Sequence, residues 1–86
     1  MPELSRFYGI VIRMYFNDHL PPHFHAQYGE HEALIALADL GIFAGDLPPR
    51  ALGLVMEWAF THRMELELAW NRASSMEPIG KIEPLN

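Results

Sequence analysis

The chain has 86 residues, half of them apolar, with 11 acidic against 6 basic side chains, a formal charge of −5 and no cysteine. A chain this short supports one hydrophobic core, burying roughly 60–65% of its unfolded surface, and without thiols it has no disulfide framework, no thiolate zinc site and no cysteine nucleophile. The acidic balance repels nucleic acid and argues against broad phosphate contact.

The opening Met1-Pro2-Glu3-Leu4-Ser5-Arg6 lacks the basic and apolar regions of a secretory leader, and no uncharged apolar run reaches membrane-spanning length. The expectation is one cytoplasmic domain over residues 1–86.

Residues 7–16, Phe-Tyr-Gly-Ile-Val-Ile-Arg-Met-Tyr-Phe, are rich in β-branched and aromatic side chains and are followed by the turn formers Asn17-Asp18. They predict a first strand, with Ile10, Ile12, Met14 and Phe16 turned to the core and Val11, Arg13 and Tyr15 outward. Pro21-Pro22 cannot donate ladder hydrogen bonds and marks a connection. Residues 23–28 alternate polar and apolar, and residues 32–37 do so less strictly, which predicts a hairpin.

Gly29-Glu30 between them suits a type II′ turn, a register that pairs Tyr28 with His31, Gln27 with Glu32, Ala26 with Ala33 and His25 with Leu34. Phe24, Ala26, Tyr28, Ala33, Ile35 and Leu37 then face the core, while His23, His25, Gln27 and Glu32 share the opposite face. In a meander, Arg13 and Tyr15 join them.

A weak edge strand over 41–44 would bring the count from three strands to four. Asp46 then caps a helix whose first turn holds Pro48-Pro49. From 47 to about 74, Leu52, Val55, Ala59, His62, Leu66 and Ala69 recur at three- and four-residue steps with Trp58 and Trp70 on the flanks, predicting one long helix over the sheet. Arg63 and Glu67 are spaced to pair along it. Residues 81–86 read as an extended tail. The fold class expected is α+β, an antiparallel β-meander of three or four strands packed on one long C-terminal helix.

Ser5-Arg6-Phe7-Tyr8-Gly9-Ile10-Val11-Ile12, Asp18-His19-Leu20-Pro21-Pro22-His23-Phe24-His25-Ala26, Tyr28-Gly29-Glu30, Glu57-Trp58-Ala59 within the 54–62 run, and Lys81-Ile82-Glu83-Pro84-Leu85 together resemble a family of short bacterial and archaeal proteins catalogued only as a domain of unknown function. The resemblance spans nearly the whole chain, with Leu20 making the loop more apolar than in relatives. It implies no settled activity. Members of that family are sometimes proposed as halves of toxin–antitoxin pairs, an association and not a mechanism.

His-x-His on a strand projects two imidazoles from one face, a spacing suited to a divalent, zinc-like metal, with His19, Asp18 or Glu32 able to complete the set. The bland alternative is a solvated pair produced by strand alternation. Without metal, the same face holds the groups for acid–base cleavage of RNA: His23 and His25 as acid and base, Glu32 orienting an imidazole, Arg13 holding phosphate and Tyr15 stacking a base. The acidic charge weighs against RNA.

A third reading makes the face an interface for a protein partner or a second copy. The expectation carried forward is a small interaction protein, one half of a toxin–antitoxin-like pair, working through His19, His23 and His25. Its rival is a ribonuclease-like or metal-dependent hydrolase using the same residues.

Overall fold

The computed structural model describes residues 2–86. Five strands, β1 (Glu3–Phe7), β2 (Ile10–Arg13), β3 (His23–Tyr28), β4 (His31–Ala36) and β5 (Ile42–Gly45), form one antiparallel sheet in sequence order, followed by helices α1 (Pro49–Thr61) and α2 (Arg63–Ser74). The class is α+β, as expected, but the sheet has five strands and the helical part is two short helices.

The single strand expected over 7–16 is interrupted at Tyr8-Gly9, where both residues have positive φ, 51° and 81°. Two consecutive positive φ values are the signature of a tight I′ hairpin, whose twist matches the strands it joins. The chain therefore folds back, pairing Phe7 with Ile10 and Arg6 with Val11, and residues 3–7 become an additional edge strand. Alternation holds within β2: Ile10 and Ile12, with Met14 just beyond, are fully buried, whereas Phe16 is exposed because the chain has already left the sheet.

The β3–β4 hairpin has the expected register, Tyr28 opposite His31, Gln27 opposite Glu32, Ala26 opposite Ala33 and His25 opposite Leu34. Gly29 takes the positive φ that a Gly-first turn requires. Phe24, Ala26, Ala33, Ile35 and Leu37 enter the core, but Tyr28 at the hairpin end stays partly exposed. β5 joins β4 through a bulge at Leu34/Ile35.

Asp46 does not cap α1. Its amide donates to the Glu32 carbonyl, 3.1 Å, and the N-cap is Pro48, which has no side-chain cap bond.

The long helix breaks at His62, with φ −111° and ψ 27°. The His62 amide donates to both Trp58 and Ala59 carbonyls, and Leu66 N–H then takes the His62 carbonyl at 2.9 Å to start the second helix. Arg63 does not pair with Glu67; its guanidinium donates to the carbonyls of Leu37 and Ala38 at 3.3 and 2.7 Å, tying the start of α2 to the β4–β5 connection. No Pro or Gly marks the break.

Val55, Trp58 and Ala59 of α1 and Leu66, Ala69, Trp70 and Ala73 of α2 cover the inner face. Trp58 is fully buried against Phe7 and Phe24, ring centroids 5.5 and 5.9 Å away, and donates from Nε1 to the Glu83 carbonyl. Ile79 and Ile82 of the tail are buried too, and Ile82 N–H bonds the Leu4 carbonyl on the free edge of β1.

Candidate metal centre

β3 begins with His23 and continues through Phe24 to His25, so strand alternation sets both imidazoles on the same side of the strand, His23 fully buried at the sheet's end. The loop over 14–22 brings Asp18 to them. That loop leaves β2, takes a left-handed residue at Asn17 whose amide bonds the Ala73 carbonyl of α2, and reaches Pro21 through a cis peptide.

Asp18 Oδ2 lies 3.0 Å from His23 Nε2 and 3.1 Å from His25 Nε2. One oxygen and two ring nitrogens thus converge on one point, all within 4.8 Å of one another. Donors bound about 2.0–2.2 Å from one first-row ion stand roughly 3.0–3.5 Å apart, a range that includes both separations from Asp18 Oδ2 to the imidazoles.

The other side of each ring is held. His23 Nδ1 donates to the Pro21 carbonyl at 2.6 Å, which turns Nε2 toward Asp18. That Nε2 is wholly buried and makes no hydrogen bond, because the approach to Asp18, though short, lacks hydrogen-bond geometry. His25 faces carboxylates on both sides, Asp18 at Nε2 and Glu32 Oε2 at Nδ1, 3.3 Å. Nε2 donates to Asp18, and moving the ring proton to Nδ1, toward Glu32, would free Nε2 to ligate. Histidine ligands held in this way by a carbonyl or a carboxylate are the usual outer sphere of a metal site.

Burial pushes the Asp18 carboxyl up. Hydrogen bonds from His25 and the His19 amide, with the imidazoles of His23 and His19 close by, outweigh it and hold the group below its ordinary value. An ionised carboxylate is the form that binds cations.

The other expected residues divide. His19 is mostly exposed; its ring stacks on His23 at 5.0 Å while its Nε2 stays 3.7 Å from Asp18 Oδ1, so it borders the donor set from the solvent side. Tyr15 meets His25 edge-on at 4.5 Å. Glu32 supports His25. Arg13 sits opposite His25 in the sheet, but its guanidinium is turned to Gln27 Oε1, 2.6 Å away. His31 and His62 lie elsewhere, His31 4.0 Å from Asp46 and His62 bonded to Glu65.

Phe43 and Trp70, 5.3 and 5.4 Å from His23, pack against its ring. Neither was in the expected set, nor was the Pro21 carbonyl. Phe43 and Trp70 are brought in by tertiary contact that no spacing in the sequence signals, whereas Pro21 is a local partner two residues before His23.

The chain belongs to the family described as Domain of unknown function (DUF4160), whose family model matches residues 9–71. That span contains every residue of the cluster. Neither a curated protein nor a solved structure matches the chain.

Proposed function

We propose that this family member binds one divalent first-row ion, such as zinc, through Asp18, His23 and His25, and uses it in metal-assisted hydrolysis. The observation that carries the reading is the buried, unbonded Nε2 of His23 aimed at Asp18. A buried nitrogen without a partner costs about 1–3 kcal/mol, and a cation between it and the carboxylate removes that penalty. Three protein donors leave at least one position for water, whose pKa a bound zinc lowers to about 7.

Glu32 orients His25 and, half exposed at the rim, is placed to accept a proton. Tyr15 and Arg13 border the same face and suit an oxyanion such as a phosphoester. RNA is a substrate to test within that class, with the charge of −5 disfavouring long strands. His19 decides between two kinds of centre: as a fourth ligand it closes the site into a structural one, and displaced by water it leaves a catalytic one.

Elemental analysis of tag-free protein, followed by calorimetric titration of the chelator-treated protein with zinc and manganese, tests this. One ion per chain is expected, lost in His23→Ala and in His25→Ala, weakened about 10- to 100-fold in Glu32→Gln, and retained in His19→Ala. Protein that is purified metal-free and takes up neither ion at micromolar concentration would rule the centre out.

A second reading, a small interaction protein forming half of a toxin–antitoxin-like pair in the cytoplasm, draws support from a different surface. Phe60, Met64 and Leu68, at four-residue steps along α1 and α2, are all more than half exposed. A row of large apolar side chains including methionine is a common docking face for another helix. Phe60→Ser with Met64→Ser is expected to abolish association with a genomically adjacent partner, or self-association, while leaving the melting temperature unchanged. Association that survives the double change removes this support.

A further inference from the structure

A groove of about 550 Å³ opens at the other end of the sheet, lined by Tyr8, Ile10, Tyr28, Arg50, Ala51 and Leu54. β3 runs six residues from His23 to Tyr28, so Tyr28 at the groove lies roughly 17 Å along the strand from His23 and roughly 10 Å from His25.

Its first unusual feature is Tyr8. With φ 51°, followed by Gly9 at φ 81°, it holds the first position of the β1–β2 turn, where asparagine or glycine is the unstrained choice. A bulky side chain in that left-handed conformation costs about 1 kcal/mol or more. Core packing does not offset the strain, because Tyr8 is 59% exposed. Tyr28 stands beside it, its ring lying where a Cβ on Gly9 would come within 3.4 Å. Two phenol rings are therefore offered to solvent above an apolar floor of Ile10, Ala51 and Leu54.

Arg50 supplies the second feature. It enters the groove from the first turn of α1, a turn with no acidic residue, and it forms no ion pair among the described residues. In a chain of net charge −5, a guanidinium without an ion pair lines the same groove as two exposed aromatic rings. Guanidinium binds phosphate or carboxylate through paired N–H donors, and phenol rings stack on flat π-systems.

We propose that this groove binds a small planar aromatic anion, its ring against Tyr8 and Tyr28 and its phosphate or carboxylate on Arg50. The groove volume suits a ligand of nucleotide size or smaller. The proposal is independent of the metal centre and of helix pairing.

The test uses the full chain with chelator present, so that no anion binds through a metal at the histidine site. Adenosine 5′-monophosphate and indole-3-carboxylate serve as probes for the two head groups, and adenosine and indole as their neutral counterparts, read by NMR titration. At least one anion is expected to saturate below about 1 mM and to bind about tenfold more tightly than its neutral counterpart, a difference of about 1.4 kcal/mol; which anion it is identifies the head group. Arg50→Gln should erase that preference, and Tyr8→Asn should weaken binding about tenfold while holding or raising the melting temperature. The proposal is overturned if neither anion saturates by about 10 mM, if binding survives Tyr8→Asn, or if Tyr8→Asn lowers the melting temperature, since the ring would then serve the fold.

Discussion

Gly45 shows how one residue is fixed by its surroundings. It ends β5 at φ 71°, and a Cβ built there would stand 2.0 Å from the Glu32 carbonyl oxygen, the same oxygen that accepts the Asp46 amide. Left-handed strain and a backbone clash act together, so Gly45→Ala is expected to destabilise by about 2 kcal/mol or more. Urea unfolding would show it as a lower midpoint at unchanged slope. Glu32 also supports His25 from its side chain, so displacement of its backbone would reach the histidine cluster. His23 was legible as a site residue because alternation from Phe24 puts it beside His25. Its burial was not, since the covering Phe43 and Trp70 come from elements far along the chain.

Among the elements, the helix break at His62 was the least legible. The apolar stripe continues at three- and four-residue steps through the break, and residues 61–63 contain neither proline nor glycine. We attribute the change of direction to the Arg63 guanidinium on the Leu37 and Ala38 carbonyls, a contact with the β4–β5 connection. Arg63→Met keeps helix propensity and most of the side-chain volume but removes the charged donor. A loss of about 1–2 kcal/mol is expected on thermal unfolding, with hydrogen exchange faster at the β4–β5 connection than in β2. Protection unchanged at residues 37–41 would assign the break to another cause. By contrast, the β3–β4 hairpin was readable down to register, because Gly29 sets the turn and one buried face forbids a one-residue slip. The β1–β2 hairpin was missed although Gly9 signalled it, since tyrosine seldom takes the preceding position.

Across the whole molecule, Trp58 joins sheet, helix and tail. Its ring packs on Phe7 and Phe24, and its Nε1 holds the Glu83 carbonyl at 2.8 Å. Trp58→Phe would keep most of the apolar contact and leave that carbonyl without its donor, a loss of about 1–3 kcal/mol. Trp58→Ala adds a cavity and is expected to reach about 3–5 kcal/mol, enough to unfold a marginal small domain. Chemical denaturation of the two variants separates the terms, and equal losses would mean the tail bond contributes little. The tail reaches the sheet as well, where the Ile82 amide occupies a carbonyl on the edge of β1. That bond takes one of the acceptors the edge would otherwise offer to a strand of another chain.

Trp70 stands 5.4 Å from the His23 ring, whereas Trp58 is enclosed by core phenylalanines. The protein therefore carries its own optical probe, one indole beside the candidate ion and a second as an internal reference. Copper or nickel arriving at His23 would quench the emission of Trp70 and spare most of that of Trp58. Occupancy could then be followed in real time in unlabelled protein.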